Sequence, residues 1–119
     1  MAEEIINQAG PLPIEAKVQT GSTGPASLAV AGSAWSETKN AMLGVDVEFD
    51  GTVVGTAKIF SNGTKTHRAL VSMHFAVELD KPFTGDPPTE PPVYTVILKP
   101  TNGETITDFN DWFQVVLNF

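Results

Sequence analysis

Apolar and polar residues alternate with a period of two along most of this chain, and two such runs meet at a turn within residues 43–60, LGVDVEFDGTVVGTAKIF. Leu43, Val45, Val47 and Phe49 fall on one side, with Gly44, Asp46, Glu48 and Asp50 on the other. Asp50-Gly51 supplies the positive φ angles that a two-residue type I′ turn requires, so the stretch predicts a β-hairpin with one dry and one wet face. On the return run, Val53, Gly55, Ala57 and Ile59 share a side against Val54, Thr56, Lys58 and Phe60. Both sides are partly apolar, as in a strand that sits inside a sheet.

The same period recurs on either side of the hairpin. Ile14, Ala16 and Val18 mark a short strand entered through Pro13, a position that suits an edge. Leu28, Val30, Gly32 and Ala34 mark a second strand, closed by Trp35 and followed by the polar loop 36–40. Over 67–79 the alternation predicts one long strand with Ala69, Val71, Met73, Phe75, Val77 and Leu79 facing the core. Residues 80–92, DKPFTGDPPTEPP, cannot form a helix and read as a stiff loop able to shield a sheet edge. Strands over 93–99 and 111–119 complete the set, the last with Phe113, Val115, Leu117 and Phe119 on one face. Residues 1–12 carry Pro11 just after Gly10 and read as an N-terminal extension, with 13–119 as a single domain. About seven to eight strands, no long helix and no βαβ rhythm predict an all-β, antiparallel two-sheet β-sandwich, Ig-like or jelly-roll.

Composition narrows the surroundings more than the chemistry. A chain of 119 residues buries enough surface to fold without staples, and the absence of cysteine removes disulfides and thiolate metal sites. Fourteen acidic against seven basic residues give a net charge of −7, which disfavours nucleic acid and anionic lipid as partners. The first ten residues lack the basic and apolar regions of a signal peptide, and no stretch approaches the length of a membrane span, so the expectation is a soluble protein of unassigned compartment.

VDVEFDGTVVGTAKIF, VYTVILKPTNG and the closing DWFQVVLNF together resemble the end of bacterial Ig-like and related small β-sandwich modules found in surface and phage-type proteins. The likeness extends from Gly44 onward and implies a fold, since its glycines serve turn and packing geometry. The long strand over 67–79 and the loop after it are larger than such modules usually carry, which keeps the jelly roll open beside the Ig-like topology.

Candidate chemistry is sparse. The two histidines, His67 and His74, are the only bases suited to activating a serine; Ser72 and His74 share a strand face, but such neighbours stand about 7 Å apart. The acidic corner 104–111, ETITDFND, offers Asp108, Asn110 and Asp111 as hard oxygen ligands, a set suited to calcium, although Asp and Asn equally build ordinary turns. Trp35, Trp112 and Tyr94 are the aromatic side chains that could stack on a sugar ring. Val54, Phe60, Leu70, Ala76, Val96, Val116 and Trp112 would give a second apolar face for a partner or another copy. The expected function is therefore a non-enzymatic binding or assembly module for protein or cell-surface contacts, without a required cofactor. The alternative is a lectin-like carbohydrate binder using Trp35 or Trp112 with calcium at the acidic corner.

Overall fold

In the computed structural model, which describes residues 1–119, ten strands and no helix account for the secondary structure. They are β1 (Ala2–Ala9), β2 (Ile14–Gln19), β3 (Gly24–Ala31), β4 (Ser33–Ala34), β5 (Ala41–Phe49), β6 (Thr52–Ser61), β7 (Arg68–Ala69), β8 (Met73–Leu79), β9 (Val93–Pro100) and β10 (Trp112–Asn118). One four-stranded sheet runs β1-β10-β3-β8, a second runs β2-β9-β5-β6, and β4 pairs with β7 in a small third ladder. Every pairing is antiparallel. The pairs nest: β5 with β6, then β3 with β8, β2 with β9 and β1 with β10, as if one long hairpin had been folded over and rolled up. Of the two topologies left open by the sequence, this order is the jelly roll.

Alternation places the core as expected. Val45, Val47 and Phe49 from β5 meet Phe113, Val115 and Leu117 from β10 across the sandwich, while Leu43 is buried in a smaller cluster with Ala34 and Ala41. Burying an aliphatic or phenyl side chain of this kind stabilises the fold by about 1.5–3 kcal/mol. The hairpin turn has φ +52° at Asp50 and +90° at Gly51, as a type I′ turn demands.

Four expectations change, the first being that β6, read as a strand inside a sheet, is the edge strand of the second one. Residues 2–9 are not an extension outside the domain: they form β1, the edge strand beside β10, and bury Ile6 in the core. Pairing with β10 makes a strand of a stretch whose local pattern shows no clean alternation. In β6 a bulge lies opposite Val47 and Glu48, which pair with Gly55 and Val53, leaving Val54 as the extra residue. The phase therefore flips: Val53 is turned to solvent, while Val54 packs on the core. The strand expected over 67–79 is broken in two, β7 and β8, where the chain passes from one ladder to another. At the handover the Leu70 N–H donates to Gly32 O (2.9 Å) and the Val71 N–H to Lys58 O (3.2 Å), so Leu70 is buried and Ala69, Val71 and Met73 are exposed.

The molecule is elongated, 56 × 22 × 22 Å. By register, one end gathers the start of β10, the β3–β5 connection and the β6–β8 connection; the other gathers the Asp50-Gly51 turn, the start of β3 and the end of β8. No helix is long and apolar enough to cross a membrane.

Candidate functional site

At the first of these ends, the acidic corner is held by a single buried carboxylate. Asp111 is fully buried just before β10. Its Oδ1 accepts from Ser33 Oγ (2.7 Å) and lies 2.7 Å from His67 Nδ1, and its Oδ2 accepts the Asp108 N–H (2.9 Å). Three separate connections, one before β10, one after β3 and one after β6, are thereby tied to one side chain. The Asp108 Oδ1 accepts the Asn110 N–H (2.8 Å), closing an Asx turn that leaves Asn110 exposed. The hydrogen bond to Asp111 raises the His67 pKa above its ordinary 6.5; Coulombic attraction to Asp111 and Asp108 adds to this, and desolvation opposes it.

The expected calcium set of Asp108, Asn110 and Asp111 is thus arranged for hydrogen bonding within the protein. His67, Asp108 and Asp111 do bring potential ligand atoms within 4.8 Å of one another. Both Asp111 oxygens already receive protein donors, while Asp108 Oδ2 and His67 Nε2, 3.9 Å apart, have no hydrogen-bond partner. Calcium takes about six to eight oxygen ligands, of which this cluster supplies only the carboxylate oxygens of Asp108 and Asp111.

The three aromatic candidates part company. Tyr94 is buried, stacks on Phe49 with ring centroids 5.3 Å apart, and accepts the Lys81 N–H at its hydroxyl (3.0 Å); it belongs to the core and cannot act as a sugar platform. Trp35 is half-buried, with its Nε1 turned inward and its ring 5.9 Å from that of His67. Trp112 is different: 56% of it is exposed, on the outer face of the first sheet.

Trp112 stands in a fixed polar setting. Its indole N–H donates to Asn7 Oδ1 on β1. The Asn7 amide donates to Glu4 Oε1 (3.0 Å), and the Gln114 amide donates to Glu4 Oε2 (3.0 Å), so Glu4 locks both amides in place. Strand pairing dictates this set, because Ala9 lies opposite Trp112 and Asn7 opposite Gln114. The face continues across β3 and β8 as a shallow depression of about 190 Å³, lined by Ala29, Ala31, Ser72, His74, Gln114 and Val116 among others. Small alanines lower the sheet surface there. The Ser72 and His74 pair opens into this depression, whose lining holds no carboxylate to orient a catalytic histidine. Phe109, at the loop tip leading into Trp112, is 82% exposed.

Sequence reasoning singled out Trp112 and missed its partners Glu4, Asn7 and Gln114, because β1 was read as lying outside the sheet. It also missed His67 as the partner of Asp111; no local signal could link residues that only the rolled topology brings together. The second apolar face does not assemble. Val96 and Leu70 are in the core, Phe60 lies beside Met42 on the outer face of the second sheet, and Val116 and Trp112 lie on the outer face of the first.

No protein-family model matches the chain, and no curated protein matches it. Among solved structures it is similar to the C-terminal domain of EclA, described as a sugar-binding protein, with TM-score 0.46, 14% identity, and coverage of 99% of this chain and 77% of that one. It is also similar to the CBM36-1 domain of a multidomain xylanase from the hindgut metagenome of Trinervitermes trinervoides, with TM-score 0.41, 12% identity, and coverage of 98% and 94%. At these values neither likeness bears on ligand or chemistry.

Proposed function

We propose that this jelly-roll domain is a non-catalytic binding module that takes a carbohydrate chain across the outer face of its first sheet. The observation that carries the reading is Trp112, an exposed indole on a regular strand, tied to Asn7 and flanked by amides that Glu4 holds in place. An indole presents a flat apolar surface with a polar edge, which suits the C–H face of a pyranose ring. Fixed amides and carboxylates offer the paired donors and acceptors that vicinal hydroxyls need, and their mutual hydrogen bonds lower the entropy lost on binding. The depression beyond Gln114 extends the surface past one sugar unit, so an oligosaccharide is the fitting ligand rather than a monosaccharide.

The largest cavity lies elsewhere, at the opposite end, and has no exposed aromatic side chain in its lining. A sugar chain is read by flat stacking surfaces and lateral hydrogen bonds, so cavity volume is the poorer guide here. Calcium has no part in the proposed mode: Asp111 directly precedes Trp112, but its carboxylate is buried while the indole faces solvent.

Affinity electrophoresis through gels containing a panel of soluble polysaccharides tests the proposal. Wild-type protein is expected to be retarded by at least one glycan with or without chelator, and Trp112→Ala to lose that retardation while keeping its thermal midpoint. Unretarded wild type across the panel, or a Trp112→Ala variant retarded equally, overturns it.

A further inference from the structure

We propose that the cleft between the free edges of β6 and β8 receives an extended basic segment of a partner protein, running beside β8 and setting two lysine or arginine side chains against Glu78 and Asp80. This surface lies at the end of the molecule remote from Trp112 and does not depend on the carbohydrate reading.

Strand order leaves both edges unpartnered. β8 has only β3 beside it, and β6 has only β5 apart from the single bond from Val71 N–H to Lys58 O. Between the two edges, near the Asp50-Gly51 turn, lies a cavity of about 530 Å³. Its apolar lining includes Phe49, Val54 and Tyr94, and its acidic groups are Asp50, Glu78 and Asp80. An unpaired strand edge offers a row of backbone donors and acceptors to an incoming chain.

Charge selects the occupant. Asp50 is paired with Lys81, whose Nζ lies 3.0 Å from the Asp50 Oδ2. Neither Glu78 nor Asp80 has a cationic side chain within ion-pair distance, and the chain as a whole carries −7. Lys81 also shows how Asp50 and Tyr94 treat an alkylammonium group: beside its pairing with Asp50, the Nζ sits 5.3 Å from the Tyr94 ring centroid. A second copy of this chain would bring more negative charge to the same place.

Spacing selects the pattern. Glu78 and Asp80 are two residues apart, and side chains two apart on an extended chain share a face at about 7 Å separation. A segment with basic residues at alternate positions and apolar residues between them therefore matches charge to the rim and aliphatic bulk to the floor. Salt should weaken the contact, since both carboxylates are solvent-facing.

A nitrogen-15 NMR titration with the peptide acetyl-Val-Lys-Val-Lys-Val-amide reads the result. The expected outcome is shifts confined to residues 50–54, 76–80 and Tyr94, reduced by added salt and absent with acetyl-Val-Glu-Val-Glu-Val-amide. The double variant Glu78→Gln/Asp80→Asn should bind at least tenfold more weakly, while Glu15→Gln/Glu37→Gln, which removes equal charge elsewhere, and Trp112→Ala should bind as wild type. Shifts spread over the whole acidic surface, no shifts at the end of the titration, or equal weakening in both charge variants overturn the proposal.

Discussion

His67 and Asp111, 44 residues apart in the chain, meet through Nδ1 and Oδ1 at 2.7 Å, with the carboxylate buried and the imidazole about one third exposed. The pair links the connection after β6 to the start of β10. Because the folded-state pKa of His67 is raised above 6.5, the protonated ring contributes stability that is fully present below pH 6.5 and is lost as pH rises through the folded pKa. Partial exposure screens the interaction, so the change should be about 1 kcal/mol or less. Thermal midpoints of wild type and His67→Gln between about pH 5.5 and 8 should converge towards the alkaline side. Parallel curves would mean that the pair contributes no pH dependence.

Asp111 itself should be far more sensitive. Asp111→Ala leaves the Ser33 hydroxyl and the Asp108 N–H without their acceptor and opens a space beneath His67. Leaving buried donors without their acceptor costs about 1–3 kcal/mol each. Urea unfolding measures it, and Asp108→Ala, which keeps all three donors to Asp111, should lose less than half as much.

Calcium should leave the protein unmoved. Its thermal midpoint in excess calcium and in chelator is expected to agree within about 1 °C, since a bound ion would stabilise by mass action. A midpoint that rises and saturates with calcium would show that Asp111 releases its donors to the ion.

Gly55 makes room for an aromatic ring. A Cβ placed there would collide with the Phe75 ring, whose side chain closes the sandwich between β6 and β8. Gly55→Ala should therefore destabilise by about 1–3 kcal/mol. Combined with Phe75→Leu, the alanine should cost less than it does alone, a coupling that a double-mutant cycle in urea reads directly.

Removing residues 1–9 tests the role of β1. The deletion strips Ile6 from the core, uncovers the edge of β10 and takes Glu4 and Asn7 away from Trp112. A markedly lower midpoint and concentration-dependent aggregation are expected, by calorimetry and light scattering. A disposable extension would leave both unchanged.

Period-two alternation and turn chemistry determined a great deal here. They were sufficient for the all-β class, the β5–β6 hairpin with its Asp50-Gly51 turn, and the buried faces of β5 and β10, because each depends on side chains a few residues apart. What the tertiary structure decided depends on strands that meet only after the chain has rolled up. Nesting of β1 on β10 made the first residues a strand and gave Trp112 its amide partners. The bulge at Val54 and the handover between β7 and β8 reset the alternation, and local pattern carries no mark of either, since a one-residue slip leaves composition unchanged while exchanging the faces. The acidic corner shows the same division. Its carboxylates were visible in the sequence, but their use was set by Ser33 and His67 arriving from other loops, which turned Asp111 from a candidate ligand into the group that holds that end of the sandwich together.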